Sequence, residues 1–481
     1  MADRKLTLFQ MNDTHAYLEP HPELVWGVSG PSYPIMGGYA RIATLLARVR
    51  KENPGGVIAL DNGDTFHGTY PAIISKGEAV VPLVNALKLD AMTAHWEFAW
   101  GPAHFMEMAG RLAHPVLAIN CYDKTTDVRP FPASTVLERA GLRVAVIGIA
   151  ATIIDKSMPR RFSEGLRFTL GTDELPDEIS RLRSKEGANL IVVLSHLGFP
   201  QDVKLAGAIA GIDVIVSGHT HNRLDHPARA GGTLIMQSGC HGSFLGKLDL
   251  HIENGRIAGT RHQLIPVDES VAPDAEMEVL VDCVMAPHRP MLSEVIGHTC
   301  VGLHRNTTLH SSMDDVLLAA IARAAHAKIA FSNGWRYGAP VPPGPVRMND
   351  LWNIIPTNPP VSAVEMTGAE IREMMEENLE TTFSSDPFGQ MGGYLKRFRG
   401  LTIYGKIENP RGHRIEHVFT QEGPLEAGVT YRVAFVTEQG VPEKFGRNRR
   451  HLAIAAIDAM REFLGSTKSE LDDGIGRFVA S

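Results

Sequence analysis

The chain has 481 residues, 44% of them hydrophobic and 21% charged, with a formal charge of −7. That length exceeds one ordinary core and suggests two large domains or about three smaller ones, and the composition excludes disordered, low-complexity and repeat architectures. The mild acidity, with a pI near 6.3, excludes a basic face for nucleic acid polymers or anionic membranes and leaves small-molecule chemistry as the default.

After Met1-Ala2-Asp3-Arg4-Lys5 the chain enters the alternating run Leu6 to Met11, which predicts a strand and not the apolar core of a secretion signal. On that reading the protein is cytoplasmic, or periplasmic if a leader has been trimmed. Further strands are predicted at Val57 to Leu60, Arg143 to Ile149, Leu190 to Leu194, Val214 to Val216 and Leu234 to Met236. Helical patterns lie between them at Tyr39 to Glu52, Glu78 to Leu87, Asp173 to Lys185 and Lys204 to Ala210. This alternation predicts an α/β layered domain over residues 1–267, with ligands gathering at the carboxyl ends of its strands. The longest apolar stretch, Val144 to Ile154, has eleven residues, too few for the roughly 20 that a membrane helix needs.

Residues 268–292, acidic and punctuated by proline, have a helical middle from Ala275 to Met285 and read as a linker. A second domain is expected over residues 293–464. Its predicted helices are Met313 to Ala325, Gly368 to Leu379 and Arg450 to Phe463, and its strands Val361 to Met366, Leu401 to Tyr404 and Thr430 to Phe435. The acidic stretch Glu370 to Glu380 reads as a solvated helix face, and residues 465–481 as a tail. Cys121, Cys240, Cys283 and Cys300 form no Cys-x-x-Cys pair and read as buried thiols.

Five loops, each just after a predicted strand, hold metal-type ligands: Asp13-Thr14-His15, Gly63-Asp64, Ala94-His95-Trp96-Glu97, Ser195-His196 and Gly218-His219-Thr220-His221. Alone, an Asp-x-His pair is more often a capped turn, and a single histidine at a strand end is more often a satisfied one. Five such elements in order reverse those odds. Carboxylate plus imidazole suits Mn²⁺, Zn²⁺ or Fe²⁺, and a pair of such ions polarises an electrophile and supplies hydroxide at neutral pH. Asp64 is the candidate bridge.

This ordered set resembles the calcineurin-like metallophosphoesterases. More narrowly, nearly the whole chain is similar to the two-domain 5'-nucleotidase family. The resemblance implies a four-layer αββα sandwich of two sheets flanked by helices, followed by a smaller α/β substrate domain, with the active site in the cleft between them. It also implies that Asp13, His15, Asp64 and His221 hold one metal and that Asp64, His95, His196 and His219 hold the other, with manganese as the expected ion. The family usually reads Gly-Asn-His-Glu-Phe-Asp where this chain has Ala94, His95, Trp96, Glu97, Phe98 and Ala99. A histidine therefore replaces the asparagine ligand, and the usual catalytic His–Asp pair is missing. That departure resembles the thiosulfohydrolase (SoxB-type) branch, which cleaves sulfate from a cysteine S-thiosulfonate on a carrier protein.

In the second domain, Ser332-Asn333-Gly334-Trp335-Arg336-Tyr337-Gly338 stands where nucleotidases have an Asn-Gly-Gly-Gly-Ile-Arg loop. Gly392 and Gly393 also resemble the thiosulfohydrolase branch, whereas Tyr394 stands where relatives usually have a ribose-gripping Asp. Asn333, Trp335, Arg336, Tyr337, Gly392, Gly393 and Tyr394 are thus the expected substrate contacts, with Arg336 facing the anion through its planar fork. Its alternative is a surface guanidinium stacked between Trp335 and Tyr337. His95, His241 and Arg336 are the candidate catalytic groups; His241 either replaces the missing general acid or is a hydrogen-bonded structural histidine, and His67, beside Asp64, has the same two readings. Trp96 could line the pocket or fill core, with core the expectation. The expected activity is two-metal hydrolysis of a small oxyanion ester or thiosulfonate. A nucleotide phosphohydrolase is the alternative, and a non-catalytic metal- or anion-binding protein is the alternative from another class. No membrane or nucleic acid partner is expected.

Overall fold

All the strands predicted in the first half form in the computed structural model, which describes residues 4–466 and 474–481. The chain divides into two compact units, Met1–Glu23 with Pro34–Pro287, and Leu24–Tyr33 with His288–Ser481. The first unit contains β1 (Arg4–Met11), β2 (Val57–Asp61), β3 (Ala91–Met92), β4 (Ser134–Arg139), β5 (Leu142–Ile149), β6 (Leu190–Ser195), β7 (Val214–Ser217), β8 (Ala228–Ala230), β9 (Thr233–Met236), β10 (Phe244–Glu253) and β11 (Arg256–Pro266). They form two sheets, ordered β11-β10-β1-β2-β3 and β8-β9-β7-β6-β5-β4.

Leu6, Leu8, Ile58 and Leu60 of the first sheet share one core with Val144, Val146, Val192, Leu194, Val214 and Val216 of the second. Each such side chain stabilises by about 1.5–3 kcal/mol when fully buried. Helices cover the outer faces: α1 (Tyr39–Glu52) packs on β2, and α3 (Phe199–Ala208), which follows α2 (Leu175–Ser184), packs on β7 and β9. The result is the expected αββα sandwich. Because the central strands are covered on both faces, they read in sequence as continuous apolar runs.

Register sets where the loops begin. Met11 lies opposite Asp61, and Asp61 opposite Met92, in parallel pairing. In the other sheet Ile149 lies opposite Ser195, which lies opposite Ser217. The loops after β1, β2 and β3 therefore leave one sheet at the same level, and those after β6 and β7 leave the other likewise.

Helix α4 (Ala275–Met285) forms with the expected bounds, capped by the Asp274 side chain, but it is part of the first unit and not a free linker. It packs on α1, where the Asp274 amide donates to Ala40 O and the Thr44 hydroxyl to Ala272 O. Leu24–Tyr33, by contrast, groups with the second unit, where the Trp26 ring lies 6.3 Å from that of His304.

The second unit is also α/β. Its strands are β12 (Ile329–Gly334), β13 (Pro360–Thr367), β14 (Tyr394–Arg399), β15 (Leu401–Gly405), β16 (Ile415–Thr420), β17 (Gly423–Pro424), β18 (Thr430–Phe435), β19 (Arg447–Ala455) and β20 (Arg477–Ala480). They are ordered β14-β12-β18-β13-β19 and β17-β16-β15-β20, alongside α5 (Ser312–Ala324), α6 (Gly368–Phe383) and α7 (Ala456–Leu464). Two expectations are corrected here. The single helix expected from Arg450 to Phe463 is strand β19 as far as Ala455 and helix α7 thereafter, because pairing with β13 overrides the helical propensity of its first half. The expected tail ends in β20, paired parallel with β15; the rest of that segment, residues 467–473, lies outside the described residues.

Cys121 and Cys240 are buried thiols, whereas Cys283 and Cys300 are exposed, and all four are free. Among the described residues no helix is long and apolar enough to cross a membrane.

Candidate metal centre

Asp13 and His15 follow β1, Asp64 follows β2, His95 follows β3, His196 follows β6, and His219 and His221 follow β7. The backbone is left-handed at Asp13 (φ 49°), His15 (φ 48°), Asp64 (φ 55°), His219 (φ 72°), His221 (φ 58°) and also at His241 (φ 59°). Such a conformation costs a residue with a β-carbon on the order of 1–3 kcal/mol, and it persists only where surrounding structure imposes it.

The strain aims side chains inward. One donor atom from each of Asp64, His95, His196 and His219 lies within 4.8 Å of the others, and the same holds for Asp13, His15, Asp64 and His221. Asp64 belongs to both groups. Its carboxylate lies 3.1 Å from His95 Nδ1, 3.4 Å from His196 Nε2 and 3.7 Å from His15 Nε2. His221 Nε2 lies 3.3 Å from Asp13 Oδ1 and 3.3 Å from His15 Nε2. Separations of about 3.3 Å are the edges of a tetrahedron with 2.0–2.1 Å metal–ligand bonds.

The ring hydrogens point the same way. His196 Nδ1 donates to Asn62 O at 2.6 Å and His15 Nδ1 to His67 O at 3.3 Å, which turns each Nε2 toward the carboxylates. His95 Nε2 is buried with no hydrogen-bond partner. Acceptors crowded together with an orphaned nitrogen fit a cation, which would satisfy them at once. Burial pushes the Asp64 carboxyl up, but the imidazoles of His95, His196 and His15 outweigh it and hold the group well below the usual carboxylate range. Burial drives His15 down to about 3, so it is a neutral donor.

A frame of buried amides and acids fixes these loops. Asn62 donates to Ser195 O and Val216 O, joining the first sheet to the second, and accepts from Gln10, which also donates to Ser217 O. Gln237 donates to Ser217 Oγ at 2.9 Å and Gly218 O at 2.8 Å, and accepts from the Thr220 hydroxyl and the Asn222 amide. One side chain thereby grips both ends of the loop carrying His219 and His221. Glu97 accepts from the His95 and Thr65 amides, while Asp64 accepts from the Trp96 amide.

His241 stands beside the seven, with its ring 6.2 Å from that of His15 and 6.3 Å from that of His221. With His21 and Glu23 it forms a third group of potential donors. These donors are already used. Arg223 lies 2.7 Å from Glu23 Oε1, the Ser243 hydroxyl donates to Oε2 at 2.8 Å, His241 Nδ1 lies 3.3 Å from Oε2, and His21 Nε2 faces Ser243. The group is a hydrogen-bonded network, unlike the two with crowded acceptors. Burial raises the Glu23 carboxyl, but His241 and Arg223 outweigh it and bring it down to about 2. His67 stacks on Trp96 at 4.4 Å, both are buried, and Trp96 lies edge-on to the Phe162 ring.

The second unit gathers the other expected contacts by itself. Asn333 ends β12 and bonds Gln439 and Thr437, each at 3.4 Å. Arg336 donates to Gly393 O at 2.7 Å, and its guanidinium lies 5.2 Å from the Tyr394 ring centroid, with Arg397 5.4 Å from that same centroid. Trp335 and Tyr337 are buried. The guanidinium against Trp335 is that of Arg305, at 5.5 Å. A β-carbon at Gly334 would meet Tyr394 O at 2.3 Å, so only glycine allows β12 and β14 to approach there. Sequence reasoning missed Glu23, Arg223, Gln237, Arg305 and Arg397, none of which stands in a local ligand motif.

The sequence pattern of the 5'-nucleotidase C-terminal domain matches residues 295–437. The trifunctional nucleotide phosphoesterase protein YfkN of Bacillus subtilis is 24% identical over 89% of this chain and 31% of its own length, so the chain spans about a third of that relative. Among solved structures, the sulfate thiohydrolase SoxB of Thermus thermophilus superposes with a TM-score of 0.89 at 26% identity, over 99% of this chain and 95% of that one. A 5'-nucleotidase precursor, also from Thermus thermophilus, superposes with a TM-score of 0.85 at 23% identity, over 99% of this chain and 100% of that one, which is a likeness of fold. Residues 295–437 thus form a C-terminal domain of the 5'-nucleotidase family, following a sandwich that bears Asp/His donor clusters, and the chain as a whole has the fold of the two solved proteins just named.

Proposed function

We propose that this chain is a two-metal hydrolase that releases a small tetrahedral oxyanion, with a cysteine S-thiosulfonate, small or carried on a protein, as its substrate. Asp13, His15, Asp64 and His221 would hold one divalent ion, and Asp64, His95, His196 and His219 the other. The observation that carries the reading is the double convergence on Asp64, with His95 Nε2 buried and unpaired. Manganese suits the mixed carboxylate–imidazole set, and neither group contains a thiolate. Bound there, such ions polarise the electrophile and supply hydroxide at neutral pH.

The protein's own groups have distinct tasks. His241, whose ring lies 6.2 Å from that of His15, offers a hydrogen to the leaving sulfur or oxygen. Trp96 and His67 make a stacked wall that excludes water. Arg336, fixed by Gly393 O and Tyr394, grips a substrate anion. The substitution of histidine for asparagine at residue 95 and the 26% identity to SoxB over nearly the full chain support the thiosulfonate reading. A second reading, a nucleotide phosphohydrolase, is supported by the likeness to the trifunctional nucleotide phosphoesterase protein YfkN.

The test is to load the full chain with Mn²⁺, supply AMP, an aryl phosphate and the S-thiosulfonate of cysteine separately, and measure phosphate and sulfate. Sulfate release from the third is expected. Phosphate release from AMP alone would remove the thiosulfonate reading in favour of the second, and silence on all three would leave a metal- or anion-binding protein.

A further inference from the structure

The mechanism above uses His241 but leaves its buried acidic neighbour without a task. Glu23 is 1% exposed and lies 218 residues away in sequence. Both of its oxygens are held, Oε1 by Arg223 at 2.7 Å and Oε2 by the Ser243 hydroxyl at 2.8 Å, and Oε2 faces His241 Nδ1 at 3.3 Å. The Cys240 sulfur also lies 3.5 Å from that nitrogen, but the carboxylate approaches closer and is anchored on both oxygens. Around the ring, Tyr17 lies 4.6 Å and His21 5.9 Å away, centroid to centroid. The His241 backbone amide donates to Asp13 O at 2.8 Å, which ties this loop to the loop that carries the first donor pair.

We propose that Glu23 is a positioning residue for His241: it accepts the Nδ1 hydrogen, fixes the ring plane, and leaves Nε2 as the nitrogen offered to the substrate. This rests on the reading of His241 as a group that faces the substrate. Arg223 completes the device. By holding Oε1 it prevents the carboxylate from turning away, so the orientation passes from guanidinium to carboxylate to imidazole. A ring held this way keeps its Nδ1 hydrogen on the carboxylate and presents the hydrogen of Nε2, and a hydrogen-bonding ring is useful only when the correct nitrogen is presented.

The test combines kinetics, metal analysis and nitrogen-15 NMR of the full chain, with the His241 signals assigned from their loss in His241→Gln. On whichever panel substrate turns over, Glu23→Gln should lower kcat about 10- to 100-fold, within the span of a general acid–base contribution. KM and the metal content should stay as in the wild type. In the His241→Gln background, Glu23→Gln should have no further effect, because the pair acts as a unit. The NMR spectrum should show Nδ1 protonated and bonded to the carboxylate in the wild type, with Nε2 carrying the hydrogen offered to the substrate, and the Nδ1 bond lost in Glu23→Gln. Arg223→Met, with the carboxylate intact but untethered, should give a smaller kcat loss in the same direction, and it stands in if the Glu23 variant does not fold.

Multiplicative losses in the double variant, a changed metal content, or an unchanged His241 Nδ1 signal in Glu23→Gln would each overturn the proposal. The NMR measurement needs no turnover. Silence on all substrates with a Glu23-dependent Nδ1 signal would sink the catalytic reading while leaving the orienting contact standing.

Discussion

The imidazole of His95 reaches Asp64 through Nδ1 at 3.1 Å, while its other nitrogen is buried without a partner. An asparagine in its place keeps an oxygen donor but shortens the reach and changes the ligand chemistry. His95→Asn is expected to weaken one of two bound metal equivalents by about 10- to 100-fold, read as metal content after dialysis against graded free metal. Unchanged stoichiometry and affinity would remove His95 from the ligand set. A second residue-scale expectation concerns pH. Lys396 on β14 is 5% exposed and donates to the Gln439 and Gly440 carbonyls. Burial brings its ammonium down from 10.5 to about 7. Between those values the unfolded chain binds the proton and the folded one does not, so this residue's cost to stability is full below pH 7 and is relieved as pH rises toward 10.5. Lys396→Met should therefore raise the second unit's unfolding temperature relative to wild type more at pH 6 than at pH 9. An equal difference at both would mean that Lys396 keeps an ordinary affinity for its proton.

The loop between β7 and β8 shows what an element needs beyond its ligands. Gln237 uses both its donors and its acceptor on that loop. Gln237→Leu would take the acceptor from the Asn222 amide and one contact each from Ser217 Oγ, the Gly218 carbonyl and the Thr220 hydroxyl, at about 1–3 kcal/mol for an orphaned group, and would free His219 and His221. The expected result is weaker binding of both metal equivalents, seen by competition with a chelator; if metal affinity were unaltered, the loop would be held by other contacts. This clamp was not legible in the sequence, and the reason is physical. The strands were legible because cover on both faces makes each a continuous apolar run, and the ligands because each follows a strand end within a few residues. Glu23, Arg223 and Gln237 act across long sequence separations and lack any such local signature. In β19 the Arg- and Ala-rich text favours a helix, yet pairing with β13 decides the structure. Helix α6 was read as a solvated acidic face, but Glu376 is buried, accepting from the Arg414 and Ile415 amides. A charge that is paired can lie inside, and composition alone does not reveal the partner.

At the scale of the whole molecule the donors of both clusters belong to one unit, since every residue from Asp13 to His221 among them falls in the first. Metal should therefore act on the stability of the two units unequally. A ligand that binds only the folded state stabilises it by about 2.7 kcal/mol when present at 100 times its dissociation constant, so two such ions contribute about 5 kcal/mol to the first unit. Asp13 and Asp64 repel each other across the site, and cations held by them would offset that repulsion, so chelation would add its return to the lost binding energy. In a domain of this size, 1 kcal/mol moves the unfolding midpoint by about 2–4 °C. Chelation should then lower the calorimetric transition of the first unit by on the order of 10 °C, with Mn²⁺ restoring it, while the second unit's transition keeps its midpoint. Hydrogen exchange assigns the transitions, because amides of β6 and β7 report on the first unit and those of β12 and β18 on the second. If chelation moved neither transition, the convergence on Asp64 would be a network of hydrogen bonds and not a metal cage, and the hydrolytic reading would lose its chemical basis.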